Sequence, residues 1–324
     1  MSAAGGPVID VLGTGGTIAS AQDVTGRLVP TLSAADLRST AGLGDHVRIR
    51  ARQVLQTSSR NMRPSDMLGL AVDIERSVDG GADGIVVLHG TDTLEETAYL
   101  LSLVLDVPVP VVLTGAMRAI EQPGADGPAN LRAAVVAAGC PGLAADGPVV
   151  VFDGEIHASE WVTKAHTNRA HSFDSGPGGL VGAVVEDRVV RYRPGARRKP
   201  LGRPGELDAS VELVWVTAGM SDRLLRAAGE ADGLVIAGTG GGHVPEWCAE
   251  AVHDLASRKP VVLASRCGRG TVLTSTYGGP GSETGLRAAG VVPAGDLAPV
   301  KARLRLLVAL SLGLDVQAVF APEV

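Results

Sequence analysis

The chain has 324 residues, 45% of them hydrophobic, enough to bury the cores of two compact domains, and it carries a formal charge of −6 with a pI near 5.7. That balance gives no general attraction to polyanions, and the one basic run, ARRKP at 196–200, lies among prolines and glycines with no interleaved aromatics, so it reads as a solvated linker and no nucleic-acid partner is expected. No apolar run reaches bilayer length and no signal-peptide pattern opens the chain, while Cys140, Cys248 and Cys267 lack C-x-x-C spacing, so the expectation is a cytoplasmic protein without membrane contact, disulfide framework or zinc site.

Aromatics make up only 3% of the residues, so the cores must be built from Val, Leu, Ile and Ala, which suits helices packed on a parallel sheet buried on both faces. The first strand signal is PVIDVLGTGG, followed by a helix-like LSAADLRS carrying Asp36 and a polar loop at 58–62. DGIVVLHGTDT is the next strand, and Thr93 with Glu96 matches a capping box that starts the apolar helix TLEETAYLLSLVL. The strands VPVVLTGAM and GPVVVFDGE follow, and SEWVTKAHT lies beyond them. From about 188 to 210 prolines and arginines replace the apolar periodicity. VELVWVTAG, DGLVIAGTGGGH and KPVVLASRCG then resume it. The predicted class is α/β with two domains: a larger N-terminal domain, 1–190, with a mainly parallel sheet, a linker over 191–210, and a smaller C-terminal α/β domain, 211–324.

Polar clusters end these strands, at the place where open α/β sheets bind ligands. The first turn, Gly13-Thr14-Gly15-Gly16-Thr17, lacks the third glycine of a dinucleotide fingerprint, the turn 238–243 fails in the same way, and neither carries the Lys-Ser/Thr of a P-loop, so no cofactor is expected. The alternative is that the glycines expose the hydroxyl of Thr14 or Thr17, which then needs a proton acceptor and an oxyanion site. Thr91 and Asp92 precede a helix N-terminus, where a carboxylate is stabilised. Ser59 and Arg60 suit a carboxylate ligand, residues 115–118 offer backbone N–H groups at a strand end, and Lys164 is the candidate general base. His166 and His171 are five apart and share no helix face, so no metal pair is predicted.

Taken together, Gly13-Thr-Gly-Gly-Thr-Ile-Ala19, His89-Gly-Thr-Asp-Thr-Leu-Glu-Glu-Thr97, Gly115-Ala-Met-Arg118, Val162-Thr-Lys164 and Lys301-Ala-Arg303 resemble the L-asparaginase family of bacterial amidohydrolases, in order and spacing along nearly the whole chain. The resemblance implies hydrolysis of L-asparagine to aspartate and ammonia through an acyl-enzyme on Thr17. Thr91 and Lys164 would relay protons or activate water, and Asp92 would hold the substrate ammonium. Ser59, Arg60 and Gly90 would line the substrate site, Ser59 taking the α-carboxylate, and the N–H groups of Thr91 and Ala116 would receive the oxyanion. His243 stands where well-known members have asparagine, and Glu283 matches a glutamate that reaches a neighbouring subunit's site. The family's lid tyrosine has no counterpart in 21–31, where Arg27 and Leu28 stand near its place. A homotetramer built from close dimers is implied as well. A glutaminase-asparaginase of broader specificity, and a noncatalytic amino-acid or nucleotide binder on the same scaffold, are the alternatives.

Overall fold

The computed structural model describes residues 6–15, 20–22, 28–30, 36, 39, 41–44, 47–195 and 199–322, with 20–22 and 28–30 as backbone only. The chain divides into two compact units, Met1–Pro200 and Leu201–Val324.

In the first unit the parallel strands are β1 (Val8–Gly13), β4 (Arg48–Gln53), β5 (Gly84–Leu88), β6 (Val111–Thr114) and β7 (Val149–Phe152), set side by side in the order β4-β1-β5-β6-β7. Antiparallel β8 (Glu155–Ala158), β11 (Gly182–Val185) and β12 (Arg188–Arg191) extend the sheet beyond β7. Two small hairpins stand apart: β2 (Ser20–Gln22) with β3 (Leu28–Pro30), and β9 (Thr163–Lys164) with β10 (Phe173–Asp174).

Every residue of β5, β6 and β7 is buried, as strands covered on both faces require. Successive side chains point to opposite faces. Ile9, Val11, Val86, Leu88 and Val112 form one core with Leu131, Ala134 and Ala138 of the helix α3 (Gly127–Ala138). The helices α1 (Pro64–Asp79) and α2 (Leu94–Val104) pack on each other and contribute Met67, Leu70, Ile74, Leu94, Ala98 and Leu101 to the buried apolar set. At the start of α1 the Asp66 carboxylate accepts the N–H of Arg63 at 2.9 Å, and Pro64 occupies the first turn, where its missing N–H costs nothing.

The second unit holds a four-stranded parallel sheet, β13 (Val211–Trp215), β14 (Gly233–Gly238), β15 (Val261–Ser265) and β16 (Val292–Pro293), in sequence order. Its core joins Leu234, Ile236, Val261 and Leu263 to Cys248, Val252 and Leu255 of the helix α4 (Glu246–Ala256). The turn after β14 folds back on itself, with the N–H groups of Gly242 and His243 both donating to the Thr239 carbonyl at 3.0 Å. Those amides are spent and are not offered to a phosphate. No helix among the described residues is long and apolar enough to cross a membrane.

Leu131 sits at the centre of the first core with 1% of its surface exposed, whereas Leu224 is 64% exposed. Leu131→Ala should therefore lower the unfolding free energy by about 2–5 kcal/mol, and Leu224→Ala should change it by less than about 0.5 kcal/mol. Urea titrations of the two variants, followed by circular dichroism, check both values.

Candidate active site

The strand order reverses at β1, which lies between β4 and β5, so the crevice beyond its carboxyl end is where such a sheet takes a ligand. Registers pair Gly13 with Gln53 and Leu88, and Leu88 with Thr114, so four strands end in one row and four loops leave it together.

From β1, Thr14 turns inward. It is 1% exposed, and both its N–H and its hydroxyl donate to the Leu88 carbonyl at 3.0 Å. Of the two hydroxyls proposed for this turn, that of Thr14 is therefore tied back to the end of β5. Thr17 lies outside the described residues, as do Arg27 and part of the lid segment.

After β4 the chain reaches a short 3-10 turn, Ser59–Asn61. Ser59 is buried, and its hydroxyl accepts the Asp92 N–H at 3.2 Å. A Cβ at Gly90 would stand 2.6 Å from the Ser59 hydroxyl oxygen, so glycine is what lets these two loops touch. Arg60 is exposed. The capping-box expectation fails at Thr93: the residue is the N-cap of α2 by position, but its hydroxyl caps no helix N–H and donates instead to the Ser59 carbonyl at 2.8 Å. A tertiary bond between loops won over the local one.

After β5, Thr91 and Asp92 meet Lys164, which arrives on β9. The Lys164 ammonium donates to the Thr91 hydroxyl oxygen at 2.9 Å and to the Asp92 carboxylate at 2.8 Å. The lysine side chain is 16% exposed and that of Asp92 57%, so the pair contributes little to stability and much to placement. The Lys164 backbone is fixed as well: its N–H donates to the Glu95 carboxylate at 3.2 Å, and the residue pairs with Phe173 in the hairpin. With the ammonium bound to a lone pair of Thr91, that hydroxyl keeps its own hydrogen for another acceptor.

After β6, Ala116 is partly exposed and its N–H has no acceptor among the described residues. The next two N–H groups, of Met117 and Arg118, bond to Asp126 at 2.9–3.1 Å. A Cβ on Gly115 would lie 2.4 Å from the His89 carbonyl oxygen, so the loops carrying Thr91 and Ala116 lie against each other. The first unit thus brings together Ser59, Gly90, Thr91, Asp92, Ala116 and Lys164.

Sequence reasoning gave no role to His89, Asn130 or Glu95. His89 and Asn130 are buried, and the only signal for Asn130 is a polar side chain inside an otherwise apolar helix face, PANLRAAVVAA.

His243 and Glu283 belong to the second unit. Glu283, at the start of the short helix α5 (Glu283–Ala288), is fully buried and accepts hydrogen bonds from the N–H groups of Thr276 and Tyr277, both 2.7 Å, and from Nε2 of His243 at 3.0 Å. Burial pushes this carboxyl up, but the donated bonds outweigh it and hold it below its usual value. His243 also packs edge-on to Tyr277 and lines a cleft of about 370 Å³ with Val244, Gly279 and Ser282. No group of His, Cys, Asp and Glu among the described residues is arranged to hold a metal ion.

Burial is also felt by two histidines of the first unit. It lowers His89 to about 4, with the hydrogen bond to the Gly90 carbonyl pulling the other way. His157 is likewise lowered to about 4, by burial first and then by His171, with Asp174 pulling the other way. In the unfolded chain these rings titrate near 6.5, so between pH 6.5 and 4 the unfolded state binds protons that the folded state refuses. The stabilisation is complete above pH 6.5 and is lost as pH falls through this window, by roughly 2 kcal/mol per ring at pH 5. Urea midpoints at pH 7.5 and pH 5.0 should show that drop; a midpoint rising on acidification would contradict it.

Residues 8–197 match the family model described as asparaginase, N-terminal, and residues 210–321 match that of the glutaminase/asparaginase C-terminal domain. A probable L-asparaginase of Deinococcus radiodurans is 40% identical over 324 aligned residues, which cover 98% of each chain. A glutamyl-tRNA(Gln) amidotransferase subunit of Halobacterium salinarum is 35% identical over 98% of this chain and 78% of its own length. Among solved structures, the thermostable L-asparaginase from Thermococcus kodakarensis superposes with a TM-score of 0.87 at 32% identity, covering 98% of this chain and 97% of its own.

Proposed function

The chain belongs to the asparaginase family, and on that premise we propose that it hydrolyses the side-chain amide of L-asparagine to L-aspartate and ammonia through a covalent acyl-threonine on Thr17. The observation that supports this most is the Lys164 ammonium bridging the Thr91 hydroxyl and the Asp92 carboxylate at the rim where the turn after β1 begins.

The chemistry runs in two steps. Thr17 Oγ adds to the amide carbon, its proton passes through the Thr91–Lys164 pair to the leaving nitrogen, and the C–N bond breaks to release ammonia. Water then adds to the ester carbon while its proton is relayed through the same pair to the departing Thr17 oxygen, which frees aspartate and restores the Thr17 hydroxyl. In both steps negative charge gathers on the former amide oxygen. The N–H groups of Thr91 and Ala116, neither with an acceptor among the described residues, are the donors assigned to it. Ser59 takes the substrate α-carboxylate, with Gly90 and Arg60 beside it, and Asp92 takes the α-ammonium, so both ends of the amino acid are read before the amide is presented.

His243, with the buried Glu283 carboxylate holding its ring from behind, is assigned to substrate selection in a homotetramer of paired dimers located in the cytoplasm. Light scattering of the purified protein checks the assembly. A second reading, in which this site serves as one subunit of an amidotransferase, is favoured by the similarity to the Halobacterium protein.

Ammonia release from L-asparagine should fall by about 10³-fold or more in Thr17→Ala, Thr91→Ala and Lys164→Met. Rates unchanged in the first two would reject the proposal. Comparing L-asparagine with L-glutamine in the same assay separates an asparaginase from a glutaminase-asparaginase. Turnover of free L-asparagine by the chain alone favours the hydrolase over the amidotransferase component.

A further inference from the structure

A backbone N–H cannot be aimed by a rotamer; only the tilt of its peptide plane directs it. In a trans peptide the carbonyl and the following N–H point in opposite directions, so whatever grips the carbonyl also aims the N–H. The peptide that ends in the Thr91 N–H begins with the Gly90 carbonyl, and the one that ends in the Ala116 N–H begins with the Gly115 carbonyl.

Both carbonyls are gripped by buried side chains. His89 is 1% exposed, and its Nδ1 lies 2.6 Å from the Gly90 oxygen. A carbonyl only accepts, so Nδ1 carries the hydrogen, which leaves Nε2 to accept the Thr97 hydroxyl at 2.9 Å. Asn130 is 2% exposed, and its Nδ2 donates to the Gly115 oxygen at 3.0 Å and to the Asp126 carboxylate at 3.1 Å. Its amide orientation is likewise forced, because Oδ1 accepts the Asp153 N–H at 2.9 Å. The partners behind each grip are Thr97 on α2 and the backbone of Asp153 in the turn after β7.

We propose that His89 and Asn130 are a matched pair of positioning residues, each fixing and polarising from behind one of the two peptide N–H groups that receive the oxyanion. A donor on the carbonyl oxygen draws electron density from the amide and strengthens its N–H as a donor, while burial keeps water from competing at the grip. Neither side chain touches the substrate. Their effect falls on the step in which charge develops, and so on kcat more than on KM.

This inference rests on the functional reading of Thr91 and Ala116, so wild-type turnover of L-asparagine and its loss in Thr91→Ala are established first. Their absence overturns that reading and this inference with it. With both in place, His89→Gln, which keeps a polar group near Nε2 and removes the donor at Nδ1, should lower kcat by about 10- to 100-fold with KM within about 3-fold. His89→Asn, which restores an N–H at the Nδ1 position, should recover most of the loss. Asn130→Ala should lower kcat similarly, whereas Val135→Ala, a core truncation on the same helix, should lower stability and leave kcat unchanged. If Asn130→Ala does not fold, the His89 pair decides alone. Normal kcat in His89→Gln, or His89→Asn performing no better than His89→Gln, overturns the inference while the functional reading stands.

Discussion

One row of the sheet governs the candidate site. Gly13, Gln53, Leu88 and Thr114 lie in register across four parallel strands, so their successors leave the sheet at one height and on one side. Thr14 locks that row by placing both its N–H and its hydroxyl on the carbonyl of Leu88. A slip of one residue between β1 and β5 would break both bonds and send every side chain of the slipped strand to the opposite covered face, where it meets the wrong packing partners. The hydrophobic pattern of the core and the alignment of the loops are thus the same constraint seen from two sides.

Register brings the loops to the same height, but contact requires that something be missing. At Gly90 and Gly115 a Cβ would fall 2.6 Å from the Ser59 hydroxyl and 2.4 Å from the His89 carbonyl, so those two positions decide whether the loops after β4, β5 and β6 form a continuous surface. Lys164 reaches that surface from a two-residue strand, which has little stability of its own. The Glu95 carboxylate on its N–H and the partner strand at Phe173 hold its backbone, and the half-exposed ion pair with Asp92 needs only to orient the ammonium.

The alternation of strand, polar cluster and helix was legible in the sequence because burial on both faces writes continuous apolar runs, and the two-domain α/β fold of the family follows from it. The convergence of Ser59, Thr91, Asp92 and Lys164 was not readable from spacing, since Lys164 lies 73 positions from Thr91, and it rested on the motifs taken together. Local rules misled where a longer bond was on offer. Thr93 carries a capping-box pattern, yet its hydroxyl serves the Ser59 carbonyl 34 positions away. In sequence, His89 and Asn130 look like any satisfied polar group of a core. Only the identity of the carbonyl it grips gives it meaning.

In both units polar groups at the surface of the loops are held by polar groups that solvent does not reach. In the first unit, Asn130 and His89 hold peptides whose N–H groups have no acceptor among the described residues. In the second, Glu283 is fully buried with three donors on its carboxylate, one of them Nε2 of His243, while the His243 side chain is 27% exposed and lines the cleft. Burying a carboxylate is costly unless its lone pairs are filled, and the N–H groups of Thr276 and Tyr277 meet that demand independently of the histidine. The carboxylate therefore stays in place whether or not His243 is there, which makes it a fixed anchor for the ring rather than an equal partner. Replacing His243 by a side chain of another shape would therefore change what the cleft presents while the carboxylate keeps its two backbone donors.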